Sequence, residues 1–120
     1  MLNLDTHIVI HALQGSLTEK ERRILSADTW SISGIVLWEL SKLAQLGRVE
    51  MDLADPEVIR ALSKIHTWPL TLEICLGIHD LDFSSDPADE IIASTSIVHR
   101  VPLVTRDGKI RKSKLVPLAR

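Results

Sequence analysis

Cys75 is the only cysteine, so no disulfide can close within the chain. That usage fits a reducing, cytoplasmic setting. Tyrosine is absent, and the aromatics amount to three Trp and one Phe. A sheet that stacks RNA bases needs more than that. The five glycines are scattered and make no Gly-rich loop to cradle phosphates. No apolar stretch approaches the about 20 residues that a membrane helix requires. The opening "MLNLDTHIVIHAL" lacks a basic segment and carries Asp5 early, unlike a secretory signal. Repeats, linkers and low-complexity tracts are missing too.

What is present suits one domain spanning residues 1–120. Apolar residues make up 45% and charged residues 25%, the balance of a soluble globule. A net charge of −2 argues against a general nucleic-acid coat, but the charge is segregated. Residues 100–120 hold seven of the 14 basic residues and one acid, Asp107. A basic tail on an acidic body can grip a phosphate backbone locally, or it can simply be a solvated tail.

Short apolar runs alternate with helical patterns. "LNL" (2–4) predicts a strand that opens into a helix at "THIVIHAL". "TEKERRILSA" (18–27) predicts a helix with a capping box, Thr18 with Glu21. "TWSIS" (29–33) predicts a second strand. A helix over 34–47 follows, with Ser33 as N-cap and Gly47 as its stop. "DPEVIRALSKI" (55–65) opens with an Asp cap and a first-turn Pro. "WPLTL" (68–72) reads as a short strand or a loop, and 73–81 as a short helix. "DPADEIIASTSIVHR" (86–100) repeats the Asp-Pro opening. "PLVT" (102–105) predicts a strand, and "KLVPL" (114–118) a last one, at an edge because of Pro117. Alternating strands and helices imply an α/β fold with a parallel sheet covered on both faces. Ligands in such sheets bind beyond the carboxyl ends of the strands, where strand order reverses.

Four acids bear on function, and each has a plainer reading. Asp5 follows the first strand and could cap the next helix. Glu39 borders a stripe predicted to be buried, made of Ile35, Trp38, Leu43 and Leu46; it could equally lie at the surface. Asp86 suits an N-cap, and Asp89 then falls in the first helical turn, where the helix dipole favours an acid. Asp107, in "LVTRDG", suits a turn, yet it mirrors Asp5 as an acid just after an apolar strand. Two acids at the ends of parallel strands would share one crevice, and two more on helices could complete a ring. Four unpaired carboxylates repel one another. A hard divalent cation, Mg²⁺ or Mn²⁺, relieves that repulsion through oxygen ligands. It can acidify water, orient a phosphate and stabilise a departing oxygen.

Rival sites are poorer. His7 and His11 are four apart, but Ile8 stands where a zinc protease needs Glu. Cys75 and His79 have no second pair to complete a tetrahedron. His66, His79 and His99 suit surface or structural roles. Ser94 and Ser96 lack a strand-to-helix elbow. A phosphotransferase site needs a second acid close to the nucleophile, and position 7 is His.

Taken in order, "LDTHIVIHAL", "ISGIVLWELSKLAQLGRV" and "DPADEIIASTSIVHRVPLVTRD" resemble the PIN domain, most of all the VapC-type toxins of toxin–antitoxin pairs. The resemblance runs from residue 2 to about residue 113. It implies a three-layer α/β/α sandwich with a mostly parallel sheet and a Mg²⁺- or Mn²⁺-dependent endoribonuclease acting through a metal-activated water. It also implies homodimerisation and a cognate antitoxin. By position, the catalytic and metal-binding acids are Asp5, Glu39, Asp89 and Asp107. Thr6, Ser33 and Thr105 match supporting hydroxyls, and Asp86 matches an auxiliary position. Glu90 stands where many relatives carry Arg, and the segment after Asp107 is unusually basic. Arg106, Lys109, Arg111 and Lys112 are the candidates for nucleic-acid contact. The alternative from the same resemblance is an inactive PIN-like module that only holds a protein partner.

Overall fold

Leu2, Asn3 and Leu4 are all buried, as an inner strand of a parallel sheet must be. They form β1 (Leu2–Leu4). The computed structural model describes residues 1–120. β1 lies between β2 (Trp30–Ser33) and β4 (Leu103–Val104), and β3 (His66–Trp68) flanks β2. The order is β3-β2-β1-β4 and every pairing is parallel. Asn3 sits opposite Ser31 on one side and Leu103 on the other.

Successive strand residues face opposite ways, and helices cover both faces. Asn3 points to α6 (Pro87–His99), where Nδ2 donates to Ser96 Oγ at 2.9 Å. Leu2 faces the other way and shares a cleft with Ile24 and Ala27, in and just after α2 (Glu19–Ser26). The three-layer sandwich is therefore present. Its core joins Leu4, Ile8, Ile32, Val36, Leu40, Ile92, Leu103 and Ile110, each almost wholly buried.

The helix signals read from sequence operate as hydrogen bonds. α1 spans Thr6–Gln14 and α3 spans Gly34–Gln45. Thr18 and Glu21 form both halves of a capping box. Asp55 accepts from Glu57 N–H at the start of α4 (Pro56–Ser63). Gly47, past the end of α3, has φ of 70°, a left-handed conformation that glycine adopts freely.

Five expectations need correction. The third strand ends at Trp68 rather than starting there, because Pro69 cannot continue the ladder; Thr71 then caps α5 (Leu72–Gly77), followed by a 3₁₀ turn at Ile78–Asp80. The predicted strand over 114–118 shrinks to one parallel bridge, Leu103 to Leu118. Ser113 Oγ accepts from Leu115 and Val116 N–H, and that turn consumes the segment. The Asp-Gly turn is instead the start of a short helix, α7 (Gly108–Arg111), capped by Asp107. In α3 Val36 and Leu40 are buried and Ile35 and Leu43 pack half-buried against the core, while Trp38 and Leu46 are exposed. Asp86 holds the N-cap position of α6, but its side chain makes no capping bond.

Candidate active site

Strand order reverses between β1 and β4, since β2 lies on one side of β1 and β4 on the other. The crevice beyond the carboxyl ends of these two strands is where a doubly wound sheet places its ligands. Asp5 follows β1 directly, and Thr105, Arg106 and Asp107 follow β4. The first turn of α6 brings Asp89, and the second turn of α3 brings Glu39.

Asp5 is buried and held by two donors. Thr6 N–H donates to Oδ1 at 2.7 Å, and Thr105 hydroxyl donates to Oδ2 at 2.6 Å. Thr105 Oγ1 also accepts from Asp107 N–H at 3.0 Å. Thr6 hydroxyl donates to Glu39 Oε1. Three of the acids, Asp107, Asp5 and Glu39, are thus linked in one chain through two threonines. Asp89 is steadied separately, as Ser85 hydroxyl donates to its Oδ2 at 2.9 Å. Asp107 Oδ1 accepts from Ile110 N–H at 3.0 Å as the cap of α7.

The acids act on one another's charge. Burial is the main cause that raises the carboxyls of Asp5, Glu39 and Asp89 above their ordinary values, and neighbouring acids add to it. Asp5 feels Asp107; Glu39 feels Asp89 and Asp5; Asp89 feels Asp5, Asp107 and Asp86. The structure therefore brings Asp5, Glu39, Asp89 and Asp107 into one electrostatic neighbourhood, with Asp86 at its rim. Only two ion pairs exist, the N-terminus with Asp28 and Arg106 with Glu21. None of the four acids has a cationic side chain as partner. The N-termini of α1 and α6 lie at this end of the sheet and offset part of the repulsion.

A hard cation fits this donor set, which is all oxygen, partly buried and short of positive charge. No three acidic, His or Cys side chains stand close enough together to hold a metal ion by themselves. An open site of that kind suits Mg²⁺ or Mn²⁺, which keep several waters and need only one or two direct carboxylates.

The remaining candidates divide. Thr6 and Thr105 touch the acids directly. Ser33 does not; it is buried and caps α3, accepting from Ile35 N–H at 3.3 Å. Lys109 Nζ donates to Ser84 O, next to the Ser85 that holds Asp89, whereas Arg111 donates to Thr105 O and lines a cavity with Thr18, Glu21 and Ile24. Lys112 is exposed. Arg106 is committed elsewhere, to Glu21 and His11. Sequence reasoning missed Ser85, whose only signal was a serine four residues before Asp89. It also set His7 aside as half of a zinc pair, whereas His7 lies within electrostatic reach of Asp5 and Glu39.

A model of the PIN domain family matches residues 3–114 of the chain. The chain belongs to the PIN domain family. Solved structures with the same fold include a toxin–antitoxin complex from Klebsiella pneumoniae, at a TM-score of 0.69 and 22% identity, covering 93% of this chain and 91% of that one. VapBC2 from Rickettsia felis bound to a DNA fragment from its promoter aligns at 0.75 and 20% identity, over 98% and 97%. FitAcB from Neisseria gonorrhoeae aligns at 0.69 and 17% identity, over 100% and 97%. No curated protein sequence matches. At these identities the solved structures establish the fold, in which this PIN domain carries Asp5 and Asp107 just after its strands and Glu39 and Asp89 on helices.

Proposed function

We propose that this PIN domain is a metal-dependent endoribonuclease and the toxin of a toxin–antitoxin pair, acting in the cytoplasm. One observation supports the reading: four carboxylates without cationic partners lie within electrostatic reach of one another near the carboxyl ends of the strands. Asp5, Glu39, Asp89 and Asp107 would hold Mg²⁺ or Mn²⁺. Such a cation supplies the charge that acidifies water and offsets negative charge on the oxygen leaving phosphorus. The protein supplies orientation. Thr6 N–H and Thr105 hydroxyl fix the Asp5 carboxylate, and Thr6 hydroxyl turns Glu39 toward it. Thr6 binds only Oε1 of Glu39, leaving Oε2 to face a cation or take up a proton. Ser33 supports indirectly, as the buried cap of the helix that carries Glu39, and Asp86 supports from the rim. Lys109, Arg111 and Lys112 stand on the Asp107 side, where cationic side chains can neutralise RNA phosphates.

The partners in this reading are a cognate antitoxin and a second copy of the chain. Support for the first is the fold shared with the Klebsiella and Rickettsia complexes. Support for the second is apolar surface: Leu70, Leu72, Leu76 and Leu115 are each more than half exposed. Asp5→Asn and Asp107→Asn are expected to abolish RNA cleavage in Mg²⁺ or Mn²⁺ while leaving the circular dichroism spectrum unchanged. A double variant cutting RNA at the wild-type rate would remove the proposal. Wild-type protein with no saturable Mn²⁺ binding would favour a module that only holds a partner.

A further inference from the structure

Arg106 lies between the two residues that bind Asp5 and cap α7, yet its own side chain points away from the acids. Its Nε donates to Glu21 Oε2 at 2.8 Å and its Nη2 to Glu21 Oε1 at 2.7 Å, a two-pronged fork. Nη1 donates to His11 Nε2 at 2.9 Å, and Nη2 reaches Ser16 O at 3.4 Å. His11 Nδ1 is 2.6 Å from Ser16 Oγ, so the imidazole accepts from Arg106 on one side and donates to Ser16 on the other. Glu21 Oε1 accepts from Thr18 N–H as well, because Glu21 is the capping-box acid of α2. The fork holds the Glu21 carboxyl down to about 2.

The sheet's backbone bonds reach as far as Val104, where Asp5 N–H donates to Val104 O, and go no further toward this corner. β4 has two residues, and its outer neighbour is a single bridge. No backbone hydrogen bond is made by Arg106. Its guanidinium is what ties the corner to the end of α1 and the start of α2. We infer that the clasp of Arg106 with Glu21 and His11 positions Thr105 and Asp107 for the acid site, making Arg106 a positioning residue rather than a grip on RNA. Bidentate guanidinium–carboxylate pairing fixes direction as well as distance, which a lysine cannot do. With its fork engaged, Arg106 would have to release Glu21 to bind a phosphate in the same way. The inference rests on the nuclease reading of the four acids.

The test uses Glu21→Gln, Arg106→Ala, Arg106→Lys and the double variant Glu21→Gln/Arg106→Ala in the full chain. Gln at position 21 still serves the capping box, so α2 keeps its start. Mn²⁺ affinity is read by calorimetry without RNA, and kcat and KM are read separately on one RNA. Supporting partners of metal ligands are worth about 10- to 100-fold in affinity or rate. Each single variant is expected to lose at least about tenfold in Mn²⁺ affinity and in kcat, with KM little changed. The double variant should be no worse than Arg106→Ala, since both remove one interaction. Arg106→Lys should not rescue. If Arg106→Ala raises KM in a salt-dependent way while Glu21→Gln changes nothing, Arg106 contacts RNA and the inference fails. Unchanged Mn²⁺ affinity and kcat in every variant would also overturn it, leaving an ordinary surface ion pair. A wild-type chain that neither binds Mn²⁺ nor cuts RNA overturns the nuclease reading and the inference together; one that binds Mn²⁺ without cutting overturns the nuclease reading alone.

Discussion

Thr105 has one hydroxyl and two tasks: it donates to Asp5 and accepts from Asp107 N–H. Thr105→Val keeps the shape and removes both. It leaves a buried carboxylate oxygen and a backbone N–H without partners, at a cost of about 1–3 kcal/mol for such orphaned groups. The Asp5 carboxyl, already raised chiefly by burial, would rise further without the Thr105 bond that lowers it. Expected is a measurable fall in urea midpoint and a loss of cleavage of about 10- to 100-fold. Thr105→Ser, which keeps the hydroxyl, should recover most of both. A Ser variant as impaired as Val, or a Val variant that loses nothing, would contradict these roles for the hydroxyl. At this scale much of the site was legible. An acid close after each of two short apolar runs marked Asp5 and Asp107, while Thr6 and Thr105 came only from the family resemblance. Ser85 was not legible, because its contact depends on the path of the loop before α6. The commitment of Arg106 was hidden too, since Glu21 lies 85 residues away in the chain.

Elements were legible where the signal was local. Caps and breakers bounded α2, α3 and α4 well. The failures came where tertiary contacts decide. A run such as "KLVPL" has strand composition, but Pro117 and the Ser113 turn leave it one bridge. "DGKI" has turn composition, yet Ile110 is fully buried, and that burial favours one more turn of helix. The stripe on α3 was misjudged because composition does not say which side of an apolar helix meets the sheet. Trp38 is 58% exposed, and Val36 and Leu40 are buried instead. Packing also explains a glycine that no local rule demands. A Cβ on Gly77, at the end of α5, would lie 2.4 Å from Ser94 Oγ on α6. That hydroxyl is buried and donates to Ile74 O at 2.6 Å, so it cannot turn aside without losing its bond. Gly77→Ala is expected to destabilise by about 1–3 kcal/mol, the usual cost of overpacking. Adding Ser94→Ala should return part of that loss, a non-additivity that urea titration of the four proteins would reveal. Strict additivity would mean that the two side chains do not compete for the same space.

For the molecule as a whole, the acid site sets stability against function. Asp5, Glu39 and Asp89 have carboxyls raised above their ordinary values of 3.8, 4.5 and 3.8, with burial the largest cause in each. A group whose folded value is raised favours the folded state below its unfolded value. That advantage is lost as pH climbs through the folded value. Without a cation, the native protein therefore carries a penalty at neutral pH. In EDTA, Asp5→Asn is expected to melt higher than wild type at pH 7. The difference should shrink as pH falls through the raised value and vanish below about pH 4, where the unfolded carboxyl also holds its proton. Acids with lowered values, such as Glu21, Asp28 and Asp82, are common to both proteins and drop out of the comparison. Mn²⁺ reverses the order. At a hundred times its dissociation constant a ligand adds about 2.7 kcal/mol, several degrees for a domain of this size. Wild type should gain that shift at pH 7 and lose it in acid, while Asp5→Asn should gain little at any pH. If Asp5 were only the cap of α1, its burial would still favour Asn in EDTA, but Mn²⁺ would move neither protein at any pH.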